Sequence, residues 1–265
     1  MLVGTPESRE LCQKVAQRTD TVLLGFSRGK DSIATVLWLK EFFPRIILFH
    51  KDGCPGIPFV EQSLTYYEDV FGVEIDRCYP SDLFTYIGSM RYQLIEDEDF
   101  IDDLDLGQFT YEHDDLTAWM RAKHKAPHAW LAWGLSYKDN LMRAVRSNLR
   151  DGWIEDKQVF YPIFDWARND ILGAIETAGV KLPGDYLYAN RSFNDTVNSR
   201  HFERMATQSP KDWDAVRLLF PLIDAARARL GFRKMHFQAK SATDPDAQEP
   251  VAIEPEPESV SDSEY

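Results

Sequence analysis

The sequence predicts an α/β fold, a doubly wound parallel sheet of about five strands with helices on both faces, over residues 1–180. The first observation behind this prediction is the order of segments from Thr21 to Cys78, where short apolar runs alternate with stretches of helical spacing. The second is composition, because 265 residues that are 44% hydrophobic and 13% aromatic supply one sizeable core. We expect a helical extension over 181–240 and a disordered acidic tail over 241–265.

Each strand is predicted from a compact apolar run, and each helix from apolar residues spaced three and four apart. The predicted strands are Thr21–Phe26, Arg45–His50, Val73–Cys78, Ala129–Trp133 and a short one near Val159–Tyr161. The predicted helices are 6–18, a segment from Ile33 that ends before Pro44, 59–71, 115–125, 138–149, Ala167–Ala178 and a long helix from Ser209 to Leu230. We expect the acidic run Glu96–Asp105 to form a solvated loop or an insertion.

The formal net charge of −13 is concentrated in the tail. Residues 241–265 contain eight acidic residues and no lysine or arginine, which leaves −5 for the rest of the chain. This folded part lacks the basic surface of a nucleic-acid-binding protein, which argues against tRNA or DNA as a partner. A local basic patch could still form from Arg28, Lys30, Arg143, Arg146 and Arg150. The tail is expected to aid solubility or to contact a protein partner.

The sequence has no feature of a membrane or secreted protein. No interior run of about 18 residues is apolar, and the first 20 residues are charged without an apolar core. Cys12, Cys54 and Cys78 are an odd number of cysteines with no Cys-x-x-Cys pair, so neither a disulfide framework nor a cysteine zinc site is predicted. We therefore expect a cytoplasmic protein in a reducing compartment.

The strongest functional signal is the junction Leu24–Ser32, which reads Leu-Gly-Phe-Ser-Arg-Gly-Lys-Asp-Ser between a predicted strand and a predicted helix. Glycine at such a turn permits close backbone approach, so that N–H groups can converge on an anion. The helix N-terminus adds roughly half a positive charge, and Lys30 adds a whole one. Ser27 supplies a hydroxyl. The loop suits phosphate, and the alternative is an ordinary helix cap made by Ser27, with Asp31 complementing the helix dipole.

Two common phosphate loops do not fit this junction. The NTPase loop needs four residues between its first glycine and Gly-Lys-Ser/Thr, whereas three residues separate Gly25 from Gly29 and Asp31 follows the lysine. The dinucleotide fingerprint Gly-x-Gly-x-x-Gly does not occur in the chain.

Ser27–Ser32 instead resembles the PP-loop, Ser-Gly-Gly-x-Asp-Ser, of the N-type ATP pyrophosphatase superfamily, with Arg28 at the glycine position that precedes Gly29. Three further segments resemble its phosphoadenosine phosphosulfate reductase-like branch. His50–Phe59 resembles the Asp-Thr-Gly end of strand two with its Phe-Pro turn. Gly134–Arg143 is similar to Gly-x-Arg-x-x-Glu-Ser-x-x-Arg, and Tyr161–Ile171 to Pro-Ile-x-x-Trp-x-x-x-Asp-Val. The four matches occur in the family's order and span residues 20–180.

The chain departs from the family pattern at three positions of the third segment. Ser136 stands where the family has an arginine, Asp139 where it has glutamate and Asn140 where it has serine. One cationic contact to the nucleotide's phosphates is therefore absent, unless Arg28 or Lys138 replaces it.

A further departure concerns cysteine. Reductases of this branch use a cysteine near the C-terminus as nucleophile, and no cysteine follows Cys78. Because that reaction needs a thiolate, the departure argues against sulfonucleotide reduction by the usual route. A reductase would have to use Cys54, with Cys78 or Cys12 as its partner, and the simpler interpretation makes Cys54 a half-buried loop cysteine.

The resemblance implies ATP (or phosphoadenosine phosphosulfate) as the nucleotide and Mg²⁺ as its ion. It also implies attack of a substrate oxygen on the α-phosphorus with release of pyrophosphate, as in the sulfate-adenylating small subunit or a sulfurtransferase. We expect Lys30, Asp31 and Arg143 to act in catalysis, and Asp31 and Asp52 to organise Mg²⁺. The expected nucleotide-binding residues are Ser27, Arg28, Gly29, Lys30, Ser32, Asp52, Gly53, Gly134 and Ser136.

Other interpretations stay open. The function alternatives are sulfonucleotide reduction and a non-catalytic nucleotide sensor or assembly factor. The expected partners are a small-molecule substrate or sulfur carrier, with a homodimer as an option.

His124 and His128 have the spacing of two zinc ligands, but Pro127 separates them and no third ligand is apparent, which favours coincidence. Core packing is the expected role of Trp119, Trp130, Trp133, Trp153 and Trp166, one of which could instead stack on adenine. Substrate contacts are expected from Arg191, Arg200 and Arg204.

Overall fold

The computed structural model describes residues 4–103, 113–138, 151–186, 193, 199–225 and 227–229. The chain divides into two compact units, Met1–Asp224 and Ala225–Tyr265, and the described residues of the second unit are helical. The acidic tail and all but the first residue of the predicted helix 138–149 lie outside the described residues. The domain boundaries at residues 180 and 240 stay predictions.

Six strands of the first unit form one sheet in the order β3-β2-β1-β4-β6-β5. They are β1 (Thr21–Gly25), β2 (Arg45–Lys51), β3 (Ile75–Cys78), β4 (Trp130–Trp133), β5 (Trp153–Ile154) and β6 (Val159–Phe160). Neighbouring strands are parallel except β5, which pairs antiparallel with β6. The α/β prediction is confirmed, and the five predicted strands are the parallel ones. The sixth strand, β5, was missed because Gly152 and Glu155 flank its two residues, whereas Tyr161 extends the apolar run of β6.

Nine α-helices have given bounds within the described residues, besides the helical residues 223–225 and 227–229. They are α1 (Pro6–Ala16), α2 (Lys30–Leu39), α3 (Pro58–Phe71), α4 (Ser81–Gly88), α5 (Glu98–Asp103), α6 (His113–Lys123), α7 (Arg168–Thr177), α8 (Ser199–Gln208) and α9 (Pro210–Leu219). Local signals in the sequence set several ends. The Thr5 hydroxyl accepts the Ser8 N–H at the start of α1, and Gly72, at φ 64°, ends α3 in the left-handed region.

The acidic run was predicted as a loop, and that prediction is wrong for residues 96–103. A 3₁₀ turn over Ile95–Asp97 leads directly into α5. Acidic side chains are favourable in the first turn of a helix, and Ile101 buries its side chain, so this segment has one anchor into the fold.

The long helix predicted from Ser209 to Leu230 is also wrong in extent, because α9 ends at Leu219. The residue before a proline is driven out of the helical region, and Phe220, which precedes Pro221, has φ −131° and ψ 78°. The Phe220 side chain is fully buried, which fixes this break.

Both faces of the sheet are covered. Leu23 of β1 joins a buried cluster with Phe49, Met120 and Leu131, whereas Val22 and Leu24 alternate to the other face and are equally buried. Within the described residues, no helix is long and apolar enough to cross a bilayer.

A second buried cluster forms where α7 packs on α2. The Trp38 and Trp166 rings meet edge to face with their centroids 5.2 Å apart. Trp166 Nε1 donates to Ser8 Oγ at 2.9 Å, which also ties α1 to this cluster. The tryptophan of the Pro-Ile-x-x-Trp segment is therefore a packing residue.

Replacing Trp166 by alanine tests this cluster. Because the side chain is 0% exposed, we expect Trp166→Ala to lower the free energy of unfolding by about 3–5 kcal/mol in urea denaturation. Trp119→Ala is the matched control, since that tryptophan is 47% exposed and should cost less than about 1 kcal/mol. Equal losses in the two variants would contradict the assignment of Trp166 to the core.

Candidate functional site

The switch point of the sheet, where the strand order reverses, lies at the carboxyl ends of β1 and β4, since β2 lies on the other side of β1. Open α/β sheets bind ligands at such switch points. The loops after the two strands meet there. A Cβ added at Gly134 would lie 2.7 Å from Thr35 Oγ1 and 3.0 Å from the Asp31 carbonyl oxygen, so the chain after β4 passes directly against α2.

The loop after β1 is not an ordinary serine-capped helix start. Gly29, which has no side chain, is the N-cap residue of α2. Ser27 Oγ accepts the Gly29 N–H at 3.4 Å and donates to Ser32 Oγ at 3.3 Å, while the Ser32 hydroxyl donates to the Gly29 carbonyl oxygen at 2.9 Å. The loop is thus held by its own serines. Lys30 Nζ forms an ion pair with Asp31 Oδ1 at 2.8 Å on the first turn of the helix.

Arg28 explains one departure from the PP-loop pattern. Its φ of 61° lies in the left-handed region that favours glycine, the residue of the family pattern. The side chain is fully buried, and its guanidinium donates to Ser63 Oγ at 2.9 Å and to the Phe193 carbonyl oxygen. It also pairs with Asp185 Oδ2 at 3.4 Å. This placement directs the guanidinium toward Ser63, Asp185 and Phe193, and the contact of Arg28 with a nucleotide stays a prediction.

Tyr186 is a residue of the site that the sequence did not indicate. The Lys30 N–H, the first amide of α2, donates to the Tyr186 hydroxyl oxygen at 3.0 Å. Burial raises the pKa of this phenol, so the hydroxyl keeps its proton. Asp185 and Tyr186 lie more than 150 residues from the loop in sequence. The one available signal for this contact was Arg28 itself, because an arginine that is buried requires an acidic partner.

The two carboxylates expected to organise Mg²⁺ follow neighbouring parallel strands. Asp31 is on the first turn of α2, and Asp52 directly follows β2 and is buried. Asp52 Oδ1 accepts the Cys54 N–H at 3.1 Å, and burial raises the pKa of Asp52. Gly53 is buried in the same loop.

Asp31 and Asp52 suit Mg²⁺ only when a bound ligand supplies further oxygen atoms. No group of three potential metal-binding side chains exists in the described part of the chain. Mg²⁺ commonly takes one or two carboxylates and completes its shell with phosphate oxygens and water. The residues present therefore fit an ion that arrives with a phosphate compound.

The loop after β4 is fastened to the segment around Trp166. Ser136 Oγ donates to the Trp166 carbonyl oxygen at 2.6 Å and accepts the Lys138 N–H at 3.1 Å, while the Tyr137 N–H donates to Phe164 O at 2.8 Å. Two of the segments that resemble the family are thus in contact. The Ser136 hydroxyl connects the loop after β4 to the backbone at Trp166. Outside the described residues lie Asp139, Asn140, Arg143 and Arg191.

All three cysteines are free and buried. Burial raises the pKa of Cys54 to about 12 and that of Cys78 to about 11, and it also raises the pKa of Cys12. The prediction that Cys54 is half-buried is wrong, because its side chain is 0% exposed in the loop after β2. None of the three has the lowered pKa of a reactive thiolate.

The histidines do not form a zinc site within the described residues. His124 Nε2 lies 2.5 Å from Asp76 Oδ2, and Lys123 pairs with the same carboxylate. His50, which the sequence did not single out, is buried at the end of β2, where its Nδ1 bonds the Phe26 carbonyl oxygen at 2.8 Å. Burial lowers its pKa to about 3, so this imidazole is neutral and structural.

Four of the five tryptophans assigned to packing are buried or half-buried, whereas Trp119 is 47% exposed. Trp133 covers Gly25, since a Cβ added at Gly25 would lie 2.1 Å from the Trp133 ring.

Arg204, one of the arginines expected to contact substrate, is exposed on α8.

No protein-family model and no curated protein sequence matches the chain. Among solved structures, the chain is similar to the U34-tRNA thiolase NcsA from Methanococcus maripaludis with its 4Fe-4S cluster. The identity is 15%, covering 82% of this chain and 79% of that one, with a TM-score of 0.38. It is also similar to an NH3-dependent NAD synthetase from Campylobacter jejuni in complex with nitrate, with 12% identity over 85% and 95% of the chains and a TM-score of 0.43. Because both TM-scores are below 0.5, the α/β assignment rests on the strand order itself.

Replacing Arg28 by glycine separates backbone strain from the buried ion pair. Arg28→Gly relieves the left-handed conformation but leaves the Asp185 carboxylate buried without its guanidinium, so we expect a loss of about 3–5 kcal/mol of stability in chemical denaturation. Adding Asp185→Asn, which removes that charge, should restore part of the loss. An Arg28→Gly variant as stable as the wild type would contradict the stabilising role of the pair.

Thiol alkylation tests the burial of the cysteines. Because their pKa values are raised, the thiolate fraction is very small at pH 8, and we expect iodoacetamide to leave all three cysteines unmodified in the native protein on the timescale that alkylates free cysteine. The same reagent in denaturant should label all three, as read by mass spectrometry. Rapid native labelling at Cys54 would contradict this and revive a thiol-based reaction.

Proposed function

We propose that the chain binds ATP with Mg²⁺ at the loop 27–32 and transfers the adenylyl group to an acceptor oxygen, releasing pyrophosphate. In this reaction a bond forms between the acceptor oxygen and the α-phosphorus, and the bond from the α-phosphorus to the oxygen that bridges it to the β-phosphorus breaks. A hydroxyl acceptor also releases its proton, whereas an anionic acceptor oxygen has none to release. The observation that carries the proposal is the PP-loop-like sequence at the carboxyl end of the central strand β1, beside Gly134 at the reversal of strand order.

The leaving pyrophosphate would be held by groups of the loop. The first-turn amides of α2 and the Lys30 ammonium supply positive charge, and the hydroxyls of Ser27 and Ser32 lie beside the Gly29 backbone. Positioning and charge neutralisation are the main contributions a protein makes to such transfers. We propose that Arg143 adds a cation from the segment after β4.

Mg²⁺, when bound with ATP, would neutralise the charge that develops on the departing phosphates. Asp31 and Asp52 would hold it, since they follow β1 and β2 at the same edge of the sheet. The raised pKa of Asp52 reflects a buried carboxylate whose ionised form a cation would favour.

Sulfonucleotide reduction is less well supported. That reaction needs an accessible thiolate, and Cys54 is fully buried with its pKa raised to about 12. We therefore propose a small-molecule substrate or a sulfur carrier as the acceptor, and keep the non-catalytic nucleotide sensor as the outcome in which ATP binds and is never cleaved.

Calorimetric titration with Mg²⁺-ATP and with phosphoadenosine phosphate tests the site. We expect Lys30→Ala to weaken ATP binding at least about 10-fold, because a charge-assisted contact to phosphate is lost. Lys14→Ala is the matched control, since Lys14 also forms an ion pair, with Glu10 at 2.7 Å, on the exposed face of α1. Absence of ATP binding in the wild type, or equal affinity in the two variants, would overturn the assignment of the loop.

The products identify the bond that is cleaved. Incubation with Mg²⁺-ATP should yield pyrophosphate and, where water takes the place of the acceptor, AMP, and Cys54→Ser should leave the rate unchanged. ADP and phosphate as products would contradict adenylyl transfer.

A further inference from the structure

The Tyr186 phenol approaches the loop from a distant part of the chain. Its oxygen accepts the Lys30 N–H at 3.0 Å. This amide belongs to the first turn of α2, whose N–H groups have no partner within the helix. Tyr186 therefore sits where the helix start presents its donors.

The hydrogen-bonding capacity of the phenol indicates what else it binds. A phenol offers one O–H donor besides its acceptor lone pairs, and the Lys30 amide uses the acceptor side. Among the described residues, no acceptor is seen for the Tyr186 O–H proton, and burial, which raises the pKa of the phenol, keeps that proton in place. A donor next to a lysine and a helix N-terminus suits an acceptor-only group such as phosphate.

The neighbouring residue holds this phenol in place. Asp185 is 0% exposed, accepts the Phe193 N–H and pairs with Arg28 of the loop. The backbone that carries Tyr186 is thus fixed to the same loop on which its hydroxyl rests. Such a preorganised group binds a ligand without first losing conformational freedom.

We propose that Tyr186 is a ligand-binding residue of the phosphate loop, whose hydroxyl accepts the Lys30 N–H and donates to a phosphate oxygen of the nucleotide. It supplies a neutral donor in a chain that has Ser136 where the family pattern has an arginine. Arg28 and Asp185 act as its positioning residues. This inference rests on the proposed function.

Calorimetric titration of the full chain with Mg²⁺-ATP and with inorganic pyrophosphate tests the inference. We expect Tyr186→Phe to weaken binding of both probes about 10-fold, because a hydrogen bond to a charged group is lost. The matched control is Tyr66→Phe, since the Tyr66 hydroxyl accepts the Lys181 N–H at 3.0 Å away from the loop. The control should keep wild-type affinity.

The outcomes separate this inference from the proposed function. A wild type that binds neither probe overturns both. If the wild type binds and Tyr186→Phe binds equally well, only the role of Tyr186 fails. Tighter binding by Tyr186→Phe would show that the hydroxyl competes with phosphate, which also overturns the inference.

A second measurement does not depend on how well Tyr186→Phe folds. Fluorinated tyrosine at position 186 lowers the pKa of the phenol, so that pyrophosphate affinity should fall as the pH rises through that pKa, when the donor proton is lost. The same substitution at Tyr66 should give the pH dependence of the unsubstituted protein. Identical pH profiles for both proteins would overturn the inference.

Discussion

The close approach of two chain segments at the carboxyl ends of β1 and β4 constrains everything around the candidate site. Gly25 lies under the Trp133 ring, and Gly134 lies against the first turn of α2. Any side chain at either glycine would need the space that these neighbours occupy. The loop after β1 and the loop after β4 therefore meet at the switch point, and the order of strands places that point at the centre of the sheet.

The titratable residues around the switch point differ in their burial and in their partners. The Arg28 cation is turned inward and paired with Asp185, whereas His50 is buried neutral, and Asp52 is buried with one oxygen on a backbone amide. Lys30 remains on the first turn of the helix beside Asp31. Among the described residues, the positive potential beside the loop 27–32 thus comes from Lys30 and from backbone amides, whereas the Arg28 guanidinium is paired away from the loop.

The parts of the fold that follow from local pattern were predictable. Apolar runs identified the five parallel strands, and proline, glycine and Thr5 marked helix ends. The helical structure of the acidic segment was not predictable, because a single buried residue, Ile101, anchors it. Pro221 was a readable signal for the end of α9 that the helical spacing obscured.

The candidate site could be predicted only where its residues are consecutive. The loop 27–32 was identified from its own sequence, since the chemistry of phosphate binding is local there. The placement of Arg28 and the contact of Tyr186 depend on a segment far along the chain. The periodicity of apolar residues does not indicate contacts between such distant segments. The burial of Cys54 likewise depends on tertiary packing, which overrode the expectation for a loop residue.

The edges of the sheet are closed to further strands by side chains of the chain itself. At the β3 edge, the Ile75 N–H donates to Glu68 Oε1 at 2.9 Å, and Arg77 donates to the Ile75 carbonyl oxygen at 2.6 Å. At the other edge, β5 is two residues long, and Arg18 stacks over the Trp153 ring. Short or side-chain-satisfied edges give another strand little to pair with, which protects a sheet from aggregation. A homodimer formed by continuing the sheet from one copy into the next is accordingly disfavoured at these two edges.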